Sequence, residues 1–133
     1  MYKSRGIIIK QFDVKVLDEN DQEFIKALQS LNIPRNMAAL ITYLANVNEA
    51  STREIEIGAG LRQPEVSSGI RTMHENNWIT ERCIRIEGKG RPTKIYKLRV
   101  PIEKIIQHYE NEKKIEAAKI MQAIQRLREI AST

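Results

Sequence analysis

Polar side chains recur on one side of a helix predicted to open at Gln63-Pro64. Val66, Ile70 and Met73 follow at helical spacing and predict its buried face. The outward face then carries small and polar residues: Gln63, Pro64, Ser67, Ser68 and Arg71. A glutamine amide can pair with adenine N6 and N7, and an arginine can pair with guanine or hold a phosphate. Taken alone, the same residues also fit an ordinary exposed helix face.

A second group of side chains with the same chemistry lies on a predicted β-hairpin. Two runs with strand periodicity, 78–86 and 93–100, flank the loop Glu87-Gly88-Lys89-Gly90-Arg91-Pro92. Lys89, Arg91 and Lys94 lie on this loop and its rim. The Gly-Arg-Pro sequence presents an extended arginine with little bulk beside it, which suits a narrow minor groove. The alternative is a plain solvated turn.

The positive charge of the chain is concentrated in the segment that holds both groups. Residues 62–100 carry nine Lys/Arg against four Asp/Glu, whereas residues 1–61 carry seven against eight and residues 101–133 six against five. A localised basic surplus indicates a polyanionic partner better than overall basicity does.

Composition narrows the class of protein. The 133 residues, 41% hydrophobic and 29% charged, predict one soluble globular domain without a membrane span or signal peptide. A single cysteine, Cys83, fits a reducing cytoplasm. Nucleotide-binding, zinc-protease and serine-hydrolase motifs are absent from the sequence, so we expect no enzyme and no cofactor. Cys83, His74 and His108 show no metal-ligand spacing, so we expect no metal site.

Local signals predict the elements that position the two groups. An N-terminal strand or arm is followed by a helix capped by Asn20 and Glu23, with a buried face of Phe24, Ile25, Leu28 and Leu31. A second helix after Pro34 buries Met37, Leu40, Ile41, Leu44 and Val47, and residues 48–50 form a connection. A third, short helix begins at Thr52 behind the capping box Ser51–Glu54.

Turn signals divide the remaining elements. The glycines of Gly58-Ala59-Gly60 can take the positive φ of a tight turn before the helix at Gln63. Asn76-Asn77 ends that helix with a left-handed cap, and the hairpin follows.

The C-terminal segment predicts one long helix from Pro101 to about Ile130. Its seam is Ile102, Ile106, Tyr109, Lys113, Ile120, Ile124 and Leu127, interrupted by polar residues near Lys113. At about 1.5 Å per residue such a helix is too long to pack on one small domain. We therefore favour pairing with the helix of a second chain over a helix that folds back on its own core.

This order of elements resembles a known family. The stretches Ser51–Ile55, Gly60–Ser67, Glu75–Ile79 and Gly90–Leu98 resemble the winged helix-turn-helix of small prokaryotic regulators of the MarR, ArsR and TrmB-like groups. The Gly-Arg-Pro wing is most similar to archaeal members. The final helix resembles the dimerisation helix that many of these proteins carry after the wing.

The resemblance implies a mainly α fold with a small β-hairpin wing and a long C-terminal dimerisation helix. Residues 1–20 would form the arm, 21–100 the winged helix-turn-helix and 101–133 the dimerisation helix. It implies a homodimeric regulator of transcription that binds double-stranded DNA, with the fourth helix in the major groove. The eight residues expected at the DNA are Gln63, Pro64, Ser67, Ser68, Arg71, Lys89, Arg91 and Lys94.

The main alternative is a winged helix that docks other proteins in a transcription or replication complex, since a fold does not fix a function. The basic wing favours DNA, because a docking wing would present apolar residues there. Binding of double-stranded RNA is a third, weaker option.

Overall fold

The computed structural model describes residues 14–85 and 90–133. The elements in chain order are α1 (Glu19–Gln29), α2 (Arg35–Ala45), β1 (Ala50–Ser51), α3 (Thr52–Ala59), α4 (Gln63–Glu75), β2 (Ile79–Ile84), β3 (Thr93–Leu98) and α5 (Ile102–Ala131). The chain divides into two units between Val100 and Pro101. The predicted class, mainly α with a small hairpin wing, is confirmed.

Helix α1 begins two residues earlier than predicted. Asp18, not Asn20, is the N-cap: its Oδ1 accepts from the Asp21 amide at 3.0 Å, and Asp21 Oδ2 accepts from the Asp18 amide at 2.9 Å. Lys15 supports this cap through an ion pair of 3.5 Å with Asp21. The predicted cap at Asn20 was wrong. Asp18 and Asn20 are each followed three residues later by an acidic residue, so both fit the capping pattern, and the contact with Lys15 favours Asp18.

The buried face of α1 is shorter than predicted. Ile25 and Leu28 are buried, but Phe24 is half-buried and Leu31 is exposed. Helix α1 ends at Gln29 and Asn32 adopts a positive φ of 67°, so Leu31 lies in a turn.

The predicted strand before α1 is wrong for the residues that the structure describes. Residues 14–18 are not in a strand, and the amide of Leu17 donates to the carbonyl of Gly58 at 3.1 Å. The rest of that prediction, residues 1–13, lies outside the described residues.

Helix α2 is the centre of the first unit. Every residue from Met37 to Leu44 is buried, and α2 packs against α1, α3 and α4. The sequence predicted one buried stripe, whereas a helix that is surrounded by other elements buries all its sides. Val47 lies beyond the helix end and is half-buried.

Helix α3 begins at the predicted residue. Ser51 Oγ accepts from the Glu54 amide at 3.2 Å, and Glu54 accepts from the Ser51 amide at 2.9 Å. Gly60 takes the predicted positive φ, at 67°. Gly58 instead lies inside α3, where a Cβ would overlap the Tyr43 ring and the Lys15 carbonyl. Its lack of a side chain serves close packing, not a turn.

Helix α4 has the predicted inward stripe, with Val66, Ile70 and Met73 all buried. Gly69 lies on the same side, and a Cβ there would stand 2.6 Å from Cδ2 of Leu40 on α2. Asn77 takes the predicted left-handed conformation, with φ 59°. These contacts hold the opposite side of α4 outward.

The three strands form an antiparallel sheet in the order β1-β3-β2. The hairpin of β2 and β3 is confirmed, with Cys83 opposite Lys94 and Glu81 opposite Tyr96. Strand β1 was predicted as part of a connection. A strand of two residues is too short to show an alternating pattern in the sequence. It exists because its residues pair with Ile95 and Tyr96.

Helix α5 is one uninterrupted helix of 30 residues, about 45 Å long. Its buried residues are Ile105 and Tyr109, whereas Ile106 of the predicted seam is 37% exposed. In its C-terminal half Ile120, Ile124 and Leu127 are exposed. No helix in the described part of the chain is long and apolar enough to cross a membrane.

Candidate nucleic-acid interface

The outward face of α4 presents all five side chains that the sequence predicted there. Gln63, Pro64, Ser67, Ser68 and Arg71 are exposed. Gln63 Nε2 donates to Ser67 Oγ, one turn further along the helix, at 3.3 Å. This contact restrains a flexible amide next to the start of the helix.

Glu65 does not add a free carboxylate to this face. Its Oε1 accepts from the Arg62 amide at 2.8 Å and lies 3.8 Å from Arg62 Nε. The Glu65 carbonyl accepts from Asn36 Nδ2 at 3.0 Å, which joins the first turn of α4 to the first turn of α2. The carboxylate therefore caps α4 and keeps its charge close to Arg62.

A cleft of about 610 Å³ separates the first turns of α4 from the hairpin. Its walls come from α3, α4 and β3 with the segment preceding β3. The lining residues are Ser51, Thr52, Arg53, Glu56, Gln63, Val66, Ser67, Arg91, Pro92, Thr93, Lys94 and Tyr96.

The cleft brings together four of the eight predicted residues from two separate segments. Gln63 and Ser67 come from α4, and Arg91 and Lys94 come from the hairpin. The other three described residues lie on the exposed face of α4 and do not line the cleft: Pro64, Ser68 and Arg71. Lys89 lies outside the described residues.

The charge of the cleft is mainly positive. Arg53, Arg91 and Lys94 line it together with one carboxylate, Glu56. Lys94 Nζ is 3.7 Å from Glu81 Oε2 on β2 and remains 57% exposed. The side chains of Arg53 and Arg91 make no ion pair or hydrogen bond with any residue in 14–85 or 90–133.

Arg53 is the cleft residue that sequence reasoning missed. The sequence predicts a capping box at Ser51–Glu54 and a family resemblance over Ser51–Ile55, but neither assigns a contact to Arg53; the capping box is indeed the cap of α3. One signal was available. Ile55 must face the core, so Arg53, two residues earlier in the same turn of the helix, must point outward.

Tyr96 on β3 is a buried residue that lines the cleft. Burial, and then the nearby Glu81 carboxylate, raises the pKa of its hydroxyl above the usual value. Its ring meets that of His74 edge to face, with centroids 6.3 Å apart. Tyr96 thereby joins the sheet to the end of α4.

The side chains suited to metal binding are dispersed. Within 14–85 and 90–133, no three His, Cys, Asp or Glu residues lie close enough together to hold a metal ion. Cys83 is exposed on β2, His74 contacts Glu81, and His108 lies 3.6 Å from Glu112.

No family model and no curated protein matches the sequence. Among solved structures, a possible transcriptional regulator from Methanosarcina mazei Go1 matches with a TM-score of 0.53 at 18% identity, over 76% of this chain and 85% of the other. TrmBL2, an archaeal chromatin protein, matches with a TM-score of 0.50 at 18% identity, over 84% of this chain. This chain spans only 42% of TrmBL2.

A MarR family regulator from Neisseria meningitidis also matches, with a TM-score of 0.46 at 15% identity over 84% of both chains. The first two structures confirm the predicted resemblance at the level of fold. The chain has a winged helix-turn-helix fold.

Proposed function

We propose that this protein is a homodimeric regulator of transcription that binds double-stranded DNA in a sequence-specific manner. Helix α4 enters the major groove, and the basic wing contacts the minor groove or the backbone. The protein acts in the cytoplasm, without a cofactor or enzymatic step.

The observation that carries this proposal is the cleft between α4 and the wing. It sets Gln63 and Ser67, which can hydrogen-bond base edges, beside Arg91 and Lys94, which can neutralise phosphates. The basic surplus of the chain lies in the same segment, residues 62–100. Side chains that can hydrogen-bond base edges and side chains that can neutralise phosphates are therefore neighbours, which supports the proposal.

The dimensions of α4 fit a major groove. An α-helix is about 10–12 Å wide with its side chains, and the groove is about 12 Å wide. Gln63 and Arg71 are separated by eight residues, which is about 12 Å along the axis. In such docking the N-terminal residues of the helix approach the base edges. Gln63 is then placed to read a base, and Arg71 a more distant guanine or phosphate.

A second copy of this chain is the partner we propose for α5. Ile120, Ile124 and Leu127 are spaced by four and three residues, so they form one stripe, and they are 56%, 36% and 65% exposed. Burying this stripe removes apolar surface from water, and one helix can supply the same stripe to both sides of a two-fold interface. A two-fold dimer would present two α4 helices to major grooves about 34 Å apart.

Titration of the purified protein with duplex DNA at two salt concentrations tests DNA binding. We expect affinity to fall steeply between about 50 and 200 mM salt, because each neutralised phosphate releases counterions. Absence of salt-sensitive binding at low ionic strength would exclude the DNA function and favour the protein-docking module. Tighter binding to a double-stranded RNA of the same sequence would instead favour an RNA-binding function.

Light scattering at micromolar concentration tests the dimer. We expect twice the monomer mass of 15.4 kDa, and a monomer at these concentrations would refute the dimer.

A further inference from the structure

Arg53 is a basic residue that lines the cleft from α3. It is the second residue of α3, is exposed, and lines the cleft together with Arg91. We propose that this cleft is a phosphate-binding site in which Arg53 supplies a cation from α3, and Arg91 and Lys94 supply cations from the wing.

The first argument is that the arginines are available. Neither Arg53 nor Arg91 contacts a carboxylate within the described ranges, although Glu56 lines the same cleft. A free guanidinium offers five N–H donors in a fixed planar arrangement that matches phosphate oxygens in pairs. One of these guanidinium groups comes from α3 and the other from the segment before β3, so the two can supply donors to a phosphate in the cleft from separate elements.

The second argument is the charge balance. The cleft holds three cations against one lining carboxylate, and Glu81 on β2 partly neutralises Lys94. The remaining surplus suits a ligand with one or two negative charges. A phosphodiester carries one, and a phosphate monoester carries up to two.

The third argument is the polar lining. Thr52, Ser67 and Thr93 bring small hydroxyl side chains to the cleft, and such groups are frequent donors to phosphate oxygens. Among the lining residues, the one large aliphatic side chain is that of Val66, and Val66 is fully buried. The lining therefore offers donors and positive charge and little apolar surface for a large hydrophobic ligand.

A phosphate can reach this cleft from two sources. With α4 in the major groove, the adjoining backbone passes between α4 and the wing, so a phosphodiester enters the cleft; this source rests on the proposed function. A small phosphorylated compound is the other source, and it would compete with DNA.

The first arm of the test uses duplex DNA with wild-type protein, Arg53→Ala, Arg53→Lys and the control Lys26→Ala. Lys26 is exposed on α1, which contributes nothing to the cleft. For Arg53→Ala we expect about tenfold weaker binding to every duplex and a salt slope reduced by about one, with sequence preference unchanged. Arg53→Lys should restore most of the affinity, and Lys26→Ala should match the wild type. Circular dichroism and the melting temperature should be the same for all four proteins.

The second arm uses pyrophosphate without DNA, monitored by the NMR amide signals of Thr52 and Thr93. Saturable shifts in the wild type that disappear in Arg53→Ala, together with competition against DNA, would identify a small phosphorylated compound as the source. Loss of DNA affinity in Arg53→Ala without such shifts would identify the DNA backbone.

The two proposals fail in different ways. If the wild type binds DNA but Arg53→Ala binds with the same affinity and salt slope, and pyrophosphate causes no shifts, the phosphate site is refuted and the proposed function stands. If the wild type binds no duplex, the proposed function fails, and the pyrophosphate arm alone decides the site: shifts support it, and their absence refutes it.

Discussion

Nε2 of His74, near the end of α4, lies 2.8 Å from Oε1 of Glu81 on β2. The other oxygen of the same carboxylate is 3.7 Å from Nζ of Lys94 on β3. Glu81 thus connects the end of α4 to both strands of the wing. It also places a negative charge beside Lys94, a cation that we propose contacts DNA.

Replacing this carboxylate should strengthen binding to DNA. Glu81→Gln keeps a hydrogen-bonding group near His74 but frees Lys94 from its ion pair and removes one charge that repels phosphate. We expect a few-fold higher affinity for non-specific duplex and a steeper salt dependence. The free energy of unfolding should change by less than about 1 kcal/mol, because the partners are part-exposed.

Titrations at two salt concentrations measure this effect, with Glu23→Gln on α1 as the control. Glu23 is exposed and makes no ion pair within residues 14–85 and 90–133. Both variants remove one negative charge from the protein, so only a local effect separates them. Equal affinities for the two variants would contradict the role of Glu81.

Substitutions on α4 and on the wing should affect DNA binding differently. Gln63→Ala or Arg71→Ala should reduce discrimination at particular base pairs, by about 1–3 kcal/mol for a lost bidentate contact. Arg91→Ala should weaken binding to all sequences and flatten the salt dependence. The same effect is expected of Lys89→Ala from the sequence alone.

Binding of each variant to a panel of duplexes, with a selected site and its single-base changes, separates the two classes. The structure adds Ser67→Ala as a companion to Gln63→Ala, because Ser67 restrains the Gln63 amide at 3.3 Å. If Gln63→Ala weakened all duplexes equally, Gln63 would be a backbone contact and not a base contact.

The sequence predicted those features that a few neighbouring residues determine. The capping box at Ser51 and Glu54 needs only four residues, so α3 was placed at its actual start. For α1 two overlapping capping patterns compete, at Asp18 and at Asn20, and the ion pair of Lys15 with Asp21 favours the one at Asp18.

Features that depend on distant partners could not be predicted in the same way. Strand β1 exists because Ala50 pairs with Tyr96, 46 positions along the chain. Arg53 joins the cleft because α3 faces the hairpin, which no spacing within residues 51–54 reveals. The exposed face of α4 was predictable because its own buried residues define it.

The two glycines around the end of α3 should respond unequally to alanine. At Gly58 a Cβ would overlap the Tyr43 ring and a main-chain carbonyl, so Gly58→Ala forces α2 and α3 apart. Overpacking of this kind costs about 1–3 kcal/mol or more. At Gly60 the space is open but φ is positive, and left-handed alanine costs about 1–2 kcal/mol. Urea unfolding should therefore rank Gly58→Ala as the less stable variant, and the reverse order would contradict this packing.

Stability should fall at high pH because of Tyr43. Burial, and then the Glu54 carboxylate, raises the pKa of Tyr43 from 10.0 to about 12 in the folded chain. The unfolded chain loses this proton first, so the stabilisation is complete below pH 10 and is lost as the pH rises towards 12. The contribution of this group falls by at most about 1.4 kcal/mol per pH unit.

Urea unfolding of wild type and Tyr43→Phe at pH 9 and pH 11 measures the difference. The loss between the two pH values should be smaller for Tyr43→Phe, which has no hydroxyl to ionise. It should not vanish, because burial also raises the pKa values of Tyr96 and Tyr109. An equal loss in both proteins would show that Tyr43 does not control the alkaline transition.

The dimer should depend on one side of α5 and not on its apolar content as a whole. Ile124 lies within the stripe formed with Ile120 and Leu127, whereas Ile115 projects from the other side of the helix, about 140° from Ile120 at 100° per residue. Both isoleucines are exposed in the single chain, at 36% and 58%. Ile124→Asp should therefore give a monomer in light scattering at micromolar concentration, because two unpaired carboxylates would meet in an apolar interface.

Ile115→Asp should remain a dimer with unchanged DNA affinity. If Ile115→Asp also dissociated, the interface would surround the helix, and the two-fold arrangement through a single stripe would be wrong.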